Sequence, residues 1–504
     1  MNKCFTYFKS GLLTTVLMFN LHCGLISQGL PSDYQEIKED IYTCNLNSAT
    51  EKIDIFLDID NRDPYATQLK FDKIFVHIML FGQEDLKNSW LEEIDEGKSL
   101  IETSSLPALR KHMLLSNLLL QDCVIQMDAG NQLRAISSFK TGFKHYEALK
   151  DASEKPPGLK KIQGLYEIFA GMVPEKYEWV KKLLGLRGDF EQGLRIFRQY
   201  LDTCHHEGDY YEAAFYYALF SAFLTDEPDD GWEYFNANVR KHQASPLFRL
   251  GYAMLGSSMG NTKEPLKLLQ DNYDQQGDTK LLLLDFQIGS FLLYQLDESG
   301  KSYLNRFLQT FPGDNHRLQA WHLLYQFSTF TDNPSEKSKC RKAILQMAEE
   351  DKKLAEHPVI REINSGIPLL KPLCAAGLLY NGGYYREAKQ QLTTKTAEIT
   401  NSLQKKHKLE FYYRMGRIAD KLSETSSAKK YYKKTIVLGK HETWYFAPLA
   451  ALKLAEIYEE KSEMAKAKQY FTLCLDINKG DYQADLKRQA NAGLQRIGTK
   501  DKLQ

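Results

Sequence analysis

The sequence predicts an all-α protein built as a solenoid of antiparallel helix pairs with a right-handed superhelix. Three observations support this prediction. Apolar residues recur at spacings of three and four along nearly the whole chain after residue 33, alternating runs are few, and one pattern of small and aromatic residues repeats near the C-terminus. Stacked helix pairs contact mainly their sequence neighbours, and such arrays usually bind other molecules instead of transforming them.

The first element is a candidate secretory signal. Lys3 and Lys9 precede an apolar run from Gly11 to Phe19, which is short for a membrane span. We expect residues 1–27 to be a signal peptide, cleaved after Ser27, and the mature chain to be exported to the periplasm or cell envelope.

Cys23 leaves a lipid-anchored alternative open, although His22 before it is large for a lipoprotein signal. Peripheral association with a membrane is left open with it. Beyond the signal, the chain divides into an N-terminal helical region at 28–155, degenerate helical repeats at 159–330 and regular repeats at 336–498.

Composition and charge limit the kinds of partner and site that we expect for this chain. The chain has 65 Lys plus Arg and 65 Asp plus Glu, so its formal charge is zero, and we expect no nucleic-acid partner. The four lysines between 429 and 434 are interpreted as the solvated face of one helix. Six cysteines follow the signal, far apart in sequence, which predicts neither a disulfide scaffold nor a zinc ribbon: Cys44, Cys123, Cys204, Cys340, Cys374 and Cys474.

Breaks between helices are marked by proline, glycine and aspartate at 155–158, 226–231, 311–314 and 332–335. We expect Asp332 or Ser335 to cap the helix that follows the last break. Glycine-containing turns between paired helices are predicted at 188–193, 208–213 and 381–388. A further pair is predicted between Leu284 and Pro312.

The C-terminal pattern repeats in one register at separations of 40 and 39 residues. Small residues are expected where paired helices cross, because only they permit a close approach of about 8–10 Å. Tyr432 and Phe471 then fill the space one turn later. The three sets are Ala376, Leu379, Ala388 and Leu392; Gly416, Ala419, Ala428 and Tyr432; and Ala455, Tyr458, Ala467 and Phe471.

These three sets resemble tetratricopeptide repeats, although Lys479 stands where the usual proline would be. The spacing exceeds the 34-residue norm, and the surplus is expected in longer second helices and in loops around 393–408 and 438–446.

A more specific resemblance covers roughly residues 100–497. The segments that carry it are Gly164–Phe169, Met172–Pro174, Lys181–Asp189 with Gly193 and Leu194, Ser245–Arg249 and Glu442–Pro448. They are similar to the inclusion body clearance proteins of fungi and to their animal relatives, the tetratricopeptide-repeat thirty-nine group. The resemblance implies a non-enzymatic helical-repeat protein, linked in fungi to clearing aggregates in concert with lipid droplets. It implies no catalytic residue.

Motifs for cofactors, metals or catalysis are incomplete. The segment at 58–63 begins like a calcium loop but has Leu69 where a glutamate is required, and the segment at 476–481 fails likewise at Lys487. Residues 299–302 do not form a phosphate loop, and the Cys204–His206 run has no second ligand pair nearby. We therefore predict no enzyme, no metal and no cofactor.

The predicted function is a scaffold that binds a protein partner through the face formed by the first helix of each pair. Extrapolating the repeat register gives the candidate partner-binding residues Asn381, Tyr413, Arg417, Lys453 and Glu456. The alternative is a lipid or small-molecule carrier, which would require a tyrosine-rich cavity lined by Phe215 and Tyr216.

Overall fold

The computed structural model describes residues 32–153, 155, 158–172, 188–225, 228–477 and 483–500, and every regular element in these ranges is a helix. The chain divides into two compact units. Unit 1 comprises Met1–Ile288 with Asn305–Asn315, and unit 2 comprises Gly289–Leu304 with His316–Gln504. The predicted signal at 1–27 lies outside the described residues, as do the segments 173–187 and 478–482.

Unit 1 contains twelve described helices before residue 272, which are α1 (Ser32–Tyr42), α2 (Leu46–Ile59), α3 (Pro64–Phe81), α4 (Leu86–Thr103), α5 (Ala108–Asp128), α6 (Gln132–Asp151), α7 (Leu159–Met172), α8 (Phe190–Thr203), α9 (Glu207–Phe223), α10 (Asp229–His242), α11 (Pro246–Met259) and α12 (Lys263–Asp271). The unit boundary falls within α13 (Leu283–Tyr294) and α14 (Gly300–Thr310).

Unit 2 continues with α15 (Arg317–Phe330), α16 (Pro334–Glu350), a 3₁₀ turn (Lys352–Leu354), α17 (Pro358–Asn364), α18 (Lys371–Asn381), α19 (Tyr385–Thr394), α20 (Thr396–Thr400), α21 (Lys405–Lys421), α22 (Thr425–Gly439), α23 (Phe446–Glu460), α24 (Met464–Ile477) and α25 (Gln483–Lys500). In this list α18/α19, α21/α22 and α23/α24 are the three predicted pairs. The all-α repeat fold is therefore confirmed for the described residues, and the hand of its superhelix stays a prediction.

The predicted crossing residues form the contact within each pair of unit 2. Ala388, Ala428 and Ala467 are fully buried, and so are Leu392, Tyr432 and Phe471 one turn later. A Cβ atom on Gly416 would lie 2.7 Å from the ring of Tyr432, so this crossing requires glycine. The register assigned from sequence is confirmed.

Successive pairs of unit 2 are also joined by a recurring ion pair. Lys389 follows the buried Ala388 and reaches Glu424 of the next pair at 2.6 Å. Lys429 follows Ala428 and reaches Glu463 at 3.4 Å. The same arrangement joins Lys301 to Glu336 at 3.0 Å. Each acidic partner precedes the next buried small residue by four positions. This spacing is visible in the sequence but is not part of the predicted pattern of small and aromatic residues.

Unit 1 contains contacts between residues very distant in sequence. Helix α1 packs on α9, and Asp278 accepts hydrogen bonds from the backbone N–H groups of Asn47 (3.2 Å) and Ser48 (2.9 Å) at the start of α2. Residues 28–155 and 159–288 thus belong to one compact unit, although contacts in a repeat array are expected between neighbours only. The predicted segment boundaries stay predictions.

Helix α9 is the centre of unit 1, because every residue from Gly208 to Ala222 is buried. The turn predicted at 208–213 is wrong, since these residues lie inside α9 and the chain turns earlier, at 204–206. Gly208 instead permits the close approach of α1: a Cβ atom there would lie 2.8 Å from the backbone nitrogen of Glu39. The Gly208–Asp209 pair was interpreted as a turn, but glycine is also found where two helices approach closely, and the sequence does not distinguish the two.

Four buried charged residues hold α1, α7 and α9 together. The ammonium group of Lys161 lies 2.7 Å from Glu212 and 3.6 Å from Asp209, and Lys38 of α1 pairs with the same two carboxylates. All four side chains are at most 6% exposed. Asp72 of α3 lies beside them, and burial raises the pKa of its carboxyl well above its usual range. Two cations thus balance two anions inside the core.

Local details at helix ends differ from the predictions. Asn333, instead of Asp332 or Ser335, caps α16 by accepting a hydrogen bond from the Glu336 N–H at 3.1 Å, because Pro334 occupies the first helical position. The surplus length of the first of the three repeats forms the extra helix α20 and not a longer α19. The turn at 381–388 is confirmed, as is the pair at 284–312. At 188–193 the second helix begins at Phe190 as predicted, whereas the residues directly before 188 lie outside the described part of the chain.

Candidate functional site

The first helices α18, α21 and α23 pack side by side and present one continuous face. Four of the five predicted partner-binding residues meet on it. The guanidinium carbon of Arg417 lies 4.0 Å from the ring centre of Tyr380 and 5.7 Å from that of Tyr413. Lys453 forms an ion pair with Glu456 on α23 and interacts electrostatically with Tyr413. We call this surface, centred on Tyr380, Tyr413, Arg417, Lys453 and Glu456, the first-helix face.

Asn381, the fifth predicted residue, is the last residue of α18 and is half-buried. The contacts that join the other four do not include it. Tyr380, which directly precedes Asn381, is the residue of α18 that contacts Arg417, and it was not among the predicted residues. Tyr413 is only 2% exposed, so it forms the floor of the face and not its rim.

The aromatic floor continues beneath Arg417. The rings of Tyr413 and Tyr432 are 6.3 Å apart, and Tyr445 lies 6.3 Å from Tyr413 on the other side. Tyr432 is fully buried, and its hydroxyl has no hydrogen-bond partner among the described residues. Burial raises the pKa of the Tyr432 phenol well above its usual range, so the hydroxyl keeps its proton and can donate it in a hydrogen bond.

Charge is distributed unevenly across the first-helix face. Arg417 is surrounded by tyrosines, and among the described residues it forms no ion pair and no hydrogen bond. The acidic groups lie towards α23, where Glu456 pairs with Lys453 and Asp420 lies near the same ammonium group. Burial raises the pKa of Asp420, against the influence of Lys453. The side of the face towards α18 therefore carries one uncompensated positive charge.

A polar pocket adjoins this face in unit 2, between α15, α18, α21 and the segment that precedes α18. Lys406 and His322 both contact the carboxylate of Glu362, at 3.5 Å and 3.1 Å. His407 lies 2.8 Å from the carbonyl oxygen of Pro368 and 2.7 Å from the hydroxyl of Ser402. The remaining lining residues are Gln326, Ile367, Leu369, Leu370, Leu373, Cys374, Glu410 and Arg414.

The charged groups of this pocket are already paired with each other. Glu410 accepts a hydrogen bond from Arg414 at 2.9 Å, and Gly377 leaves room for that guanidinium. The pair holds the Arg414 guanidinium against Gly377 of α18, and this packing joins α18 to α21.

The zero net charge of the chain conceals a strong local excess. Residues 371–500 contain 24 Lys plus Arg against 13 Asp plus Glu. Lys430, Lys433 and Lys434 are exposed on α22, and no carboxylate of a described residue pairs with them. Overall neutrality therefore gives no ground for excluding an anionic polymer, and the absence of a nucleic-acid partner stays only a prediction.

The residues of the carrier alternative are part of the packed core. Phe215 and Tyr216 are 3% and 2% exposed, and Tyr216 stacks on Phe220. The segment at 58–63 connects α2 to α3, where Asp63 caps α3 by accepting hydrogen bonds from Tyr65 and Ala66. Among the described residues no group of three or more His, Cys, Asp or Glu is placed to hold a metal ion. No described helix is long and apolar enough to cross a membrane.

Comparison with known proteins gives little further information. No family model matches the sequence, and no curated protein matches it. A human IFIT1 dimer with PPP-AAAA is 11% identical over 94% of this chain and 95% of that chain, with a TM-score of 0.33. The Cut9–Hcn1 hetero-tetramer of APC/C is 12% identical over 92% and 96%, with a TM-score of 0.27. Because TM-scores of this size support no conclusion, the fold rests on the helices and contacts of the chain itself.

Proposed function

We propose that the protein is a non-catalytic helical-repeat scaffold that binds a protein partner through the first-helix face. The observation that carries this proposal is the convergence of Tyr380, Tyr413, Arg417, Lys453 and Glu456 from three successive helices. Such a surface combines an aromatic floor with fixed charges of both signs, which suits a polypeptide better than a single small molecule.

The cellular setting belongs to the same proposal. The Lys3–Phe19 segment supports export to the cell envelope, with the partner located there. We also propose a distant relationship to the inclusion body clearance family, supported by the segments Gly164–Phe169 and Ser245–Arg249. Both segments lie on buried helices of unit 1, α7 and α11, so they support relatedness of fold and imply no binding residue.

The test is crosslinked pull-down from the native envelope with mass spectrometry, comparing the wild-type chain with Arg417→Glu/Lys453→Glu. We expect the double variant to lose the partner, because the two positive charges of the face are reversed. The matched control is Arg386→Glu/Lys430→Glu, which reverses two exposed charges on the second helices α19 and α22. A partner captured equally by all three proteins would show that another surface binds it.

A further inference from the structure

We propose that Arg417 is a receptor for a carboxylate group of the partner polypeptide, bound on the side of the first-helix face towards α18. This inference rests on the proposed function and specifies the chemistry that the face recognises. Its basis is an arginine that has no acidic partner among the described residues and lies between tyrosine rings in a recessed position.

The guanidinium of Arg417 is positioned before any ligand binds. Its carbon lies 4.0 Å from the ring centre of Tyr380, a distance at which an arginine stacks on an aromatic face. Tyr413 supports it from α21 at 5.7 Å, and the ring of Tyr413 is itself held by Phe446 at 5.7 Å. Stacking fixes the plane of the guanidinium and leaves its N–H edge available for hydrogen bonds.

The N–H donors of Arg417 have no acceptor in the part of the chain that the structure describes. Among the described residues Arg417 makes no hydrogen bond and no ion pair, whereas the neighbouring Arg414, one turn earlier, is paired with Glu410. A guanidinium presents its donors as a planar fork that matches a carboxylate in two parallel hydrogen bonds. An arginine kept in an aromatic setting without such a partner therefore favours an anionic planar ligand group.

A second polar group at the same place lacks a partner. The hydroxyl of Tyr432 is fully buried and makes no hydrogen bond among the described residues, and its charged and polar neighbours are Asp420, Tyr413, Tyr380 and Arg417. A buried hydroxyl without a partner is costly, and a water that bridges it to the bound carboxylate would satisfy it. The guanidinium of Arg417 and the hydroxyl of Tyr432 are thus two donors of the same face that lack an acceptor among the described residues.

The charges around this position favour an anion locally. The acidic side chains of the face, Glu456 and Asp420, lie towards α23 beside Lys453. From α18, Tyr380 lies next to Arg417, together with Tyr413, Tyr432 and Tyr445 of the neighbouring elements. The carboxylate of the partner would therefore bind Arg417, and the apolar residues on either side of it in the partner chain would contact the tyrosine rings.

The carboxylate can come from a glutamate or aspartate side chain or from a chain terminus, and three fluorescein-labelled peptides separate these sources. The first is a capped heptapeptide, Gly-Ser-Leu-Glu-Leu-Ser-Gly, with a C-terminal amide. The second replaces the glutamate with glutamine. The third is the glutamine peptide with a free C-terminal carboxylate. Binding to the full chain is measured by fluorescence anisotropy.

We expect at least one carboxylate peptide to bind about tenfold more tightly than the neutral peptide, and Arg417→Met to abolish that difference. Arg417→Lys keeps the charge but loses the planar fork, so it should retain only part of the preference. Arg386→Met, on the exposed face of α19, is the matched control and should leave the preference intact. Circular dichroism confirms that each variant is folded.

Preference for the first peptide alone identifies a side-chain carboxylate, and preference for the third alone identifies a chain terminus. Equal binding of all three peptides, or an unchanged preference in Arg417→Met, overturns the inference. The proposed function is tested separately by the pull-down. If that partner is lost in Arg417→Glu/Lys453→Glu while the peptides bind equally, the scaffold proposal stands and the carboxylate inference fails.

Discussion

The two units of this protein solve the same packing problem in different ways. In unit 2 each helix pair contacts the next. Two features recur from pair to pair: small residues at the crossings, and an ion pair of the type formed by Lys389 and Glu424. In unit 1 the central helix α9 is buried from Gly208 to Ala222, and Lys38 of α1 pairs with Asp209 of α9 across 171 positions of sequence. A chain of helix pairs therefore need not be an array in which each pair contacts only its neighbours in sequence.

This difference has an energetic consequence. A nearest-neighbour array distributes its stability over equivalent interfaces, so one change is expected to act locally. A unit closed around a buried helix concentrates its stability in a few long-range contacts, among them ion pairs that have lost their water. Four predictions test this contrast, and they follow in order of decreasing cost in stability.

Lys161→Met is expected to destabilise unit 1 by about 3–5 kcal/mol, because it leaves buried carboxylates with too few cations. The free energy of unfolding is measured by urea denaturation. The double variant Lys161→Met/Glu212→Leu removes one charge of each sign and should recover part of the loss. Lys160→Met, at an exposed position next along α7, is the control and should have little effect. A small effect of Lys161→Met would show that the ion cluster is not what closes unit 1.

Ala428→Trp is expected to cost about 1–3 kcal/mol or more, because Ala428 is fully buried at the crossing of α21 and α22. If unit 2 behaves as an array, hydrogen exchange should rise in α21–α24 and remain unchanged in α15 and α16. Ser426→Trp, two residues earlier and exposed, is the control. An unchanged melting temperature for Ala428→Trp would contradict the repeat register.

Unit 1 is expected to lose stability on acidification through His242, which is 6% exposed and stacks on Tyr210 at 4.2 Å. Burial, with a contribution from Lys241, lowers the pKa of His242 to about 4, whereas the unfolded value is about 6.5. The unfolded state therefore binds more protons between these values, and stability falls as the pH drops from 6.5 towards 4.

His242→Phe keeps the stacking and removes this titration. Between pH 7 and pH 5 the variant should lose about 1–2 kcal/mol less stability than the wild type, measured by urea denaturation at each pH. His441→Phe, at an exposed position, is the control. Parallel pH profiles for His242→Phe and the wild type would be incompatible with this role.

Lys389→Met is expected to cost about 0.2–1 kcal/mol, because the side chains of Lys389 and Glu424 are 37% and 36% exposed and water screens the pair. The swap Lys389→Glu/Glu424→Lys should restore most of the loss at low salt. A cost as large as that of Lys161→Met would mean that unit 2 also depends on individual charges, which would remove the contrast between the units.

The candidate site could be predicted in part. Tyr413, Arg417, Lys453 and Glu456 were found because the repeat register places them on the first helices, and the structure brings them together. Asn381 was not joined to them, and Tyr380 and Tyr432 were missed. Tyr432 had already been assigned to the core, and a core residue whose hydroxyl lacks a partner cannot be recognised from sequence alone.

Local sequence patterns predict the helical class, the pairing of α18 with α19, α21 with α22 and α23 with α24, and the small residues at their crossings. They can do so because helix periodicity and close approach depend on residues near one another in the chain. Three features required the tertiary structure: Gly208 and Asp209 lie inside a buried helix, Lys38 and Lys161 share two carboxylates, and Arg417 lies among tyrosines with no acidic partner in the described part of the chain. These features depend on contacts between distant residues, and no local pattern records them.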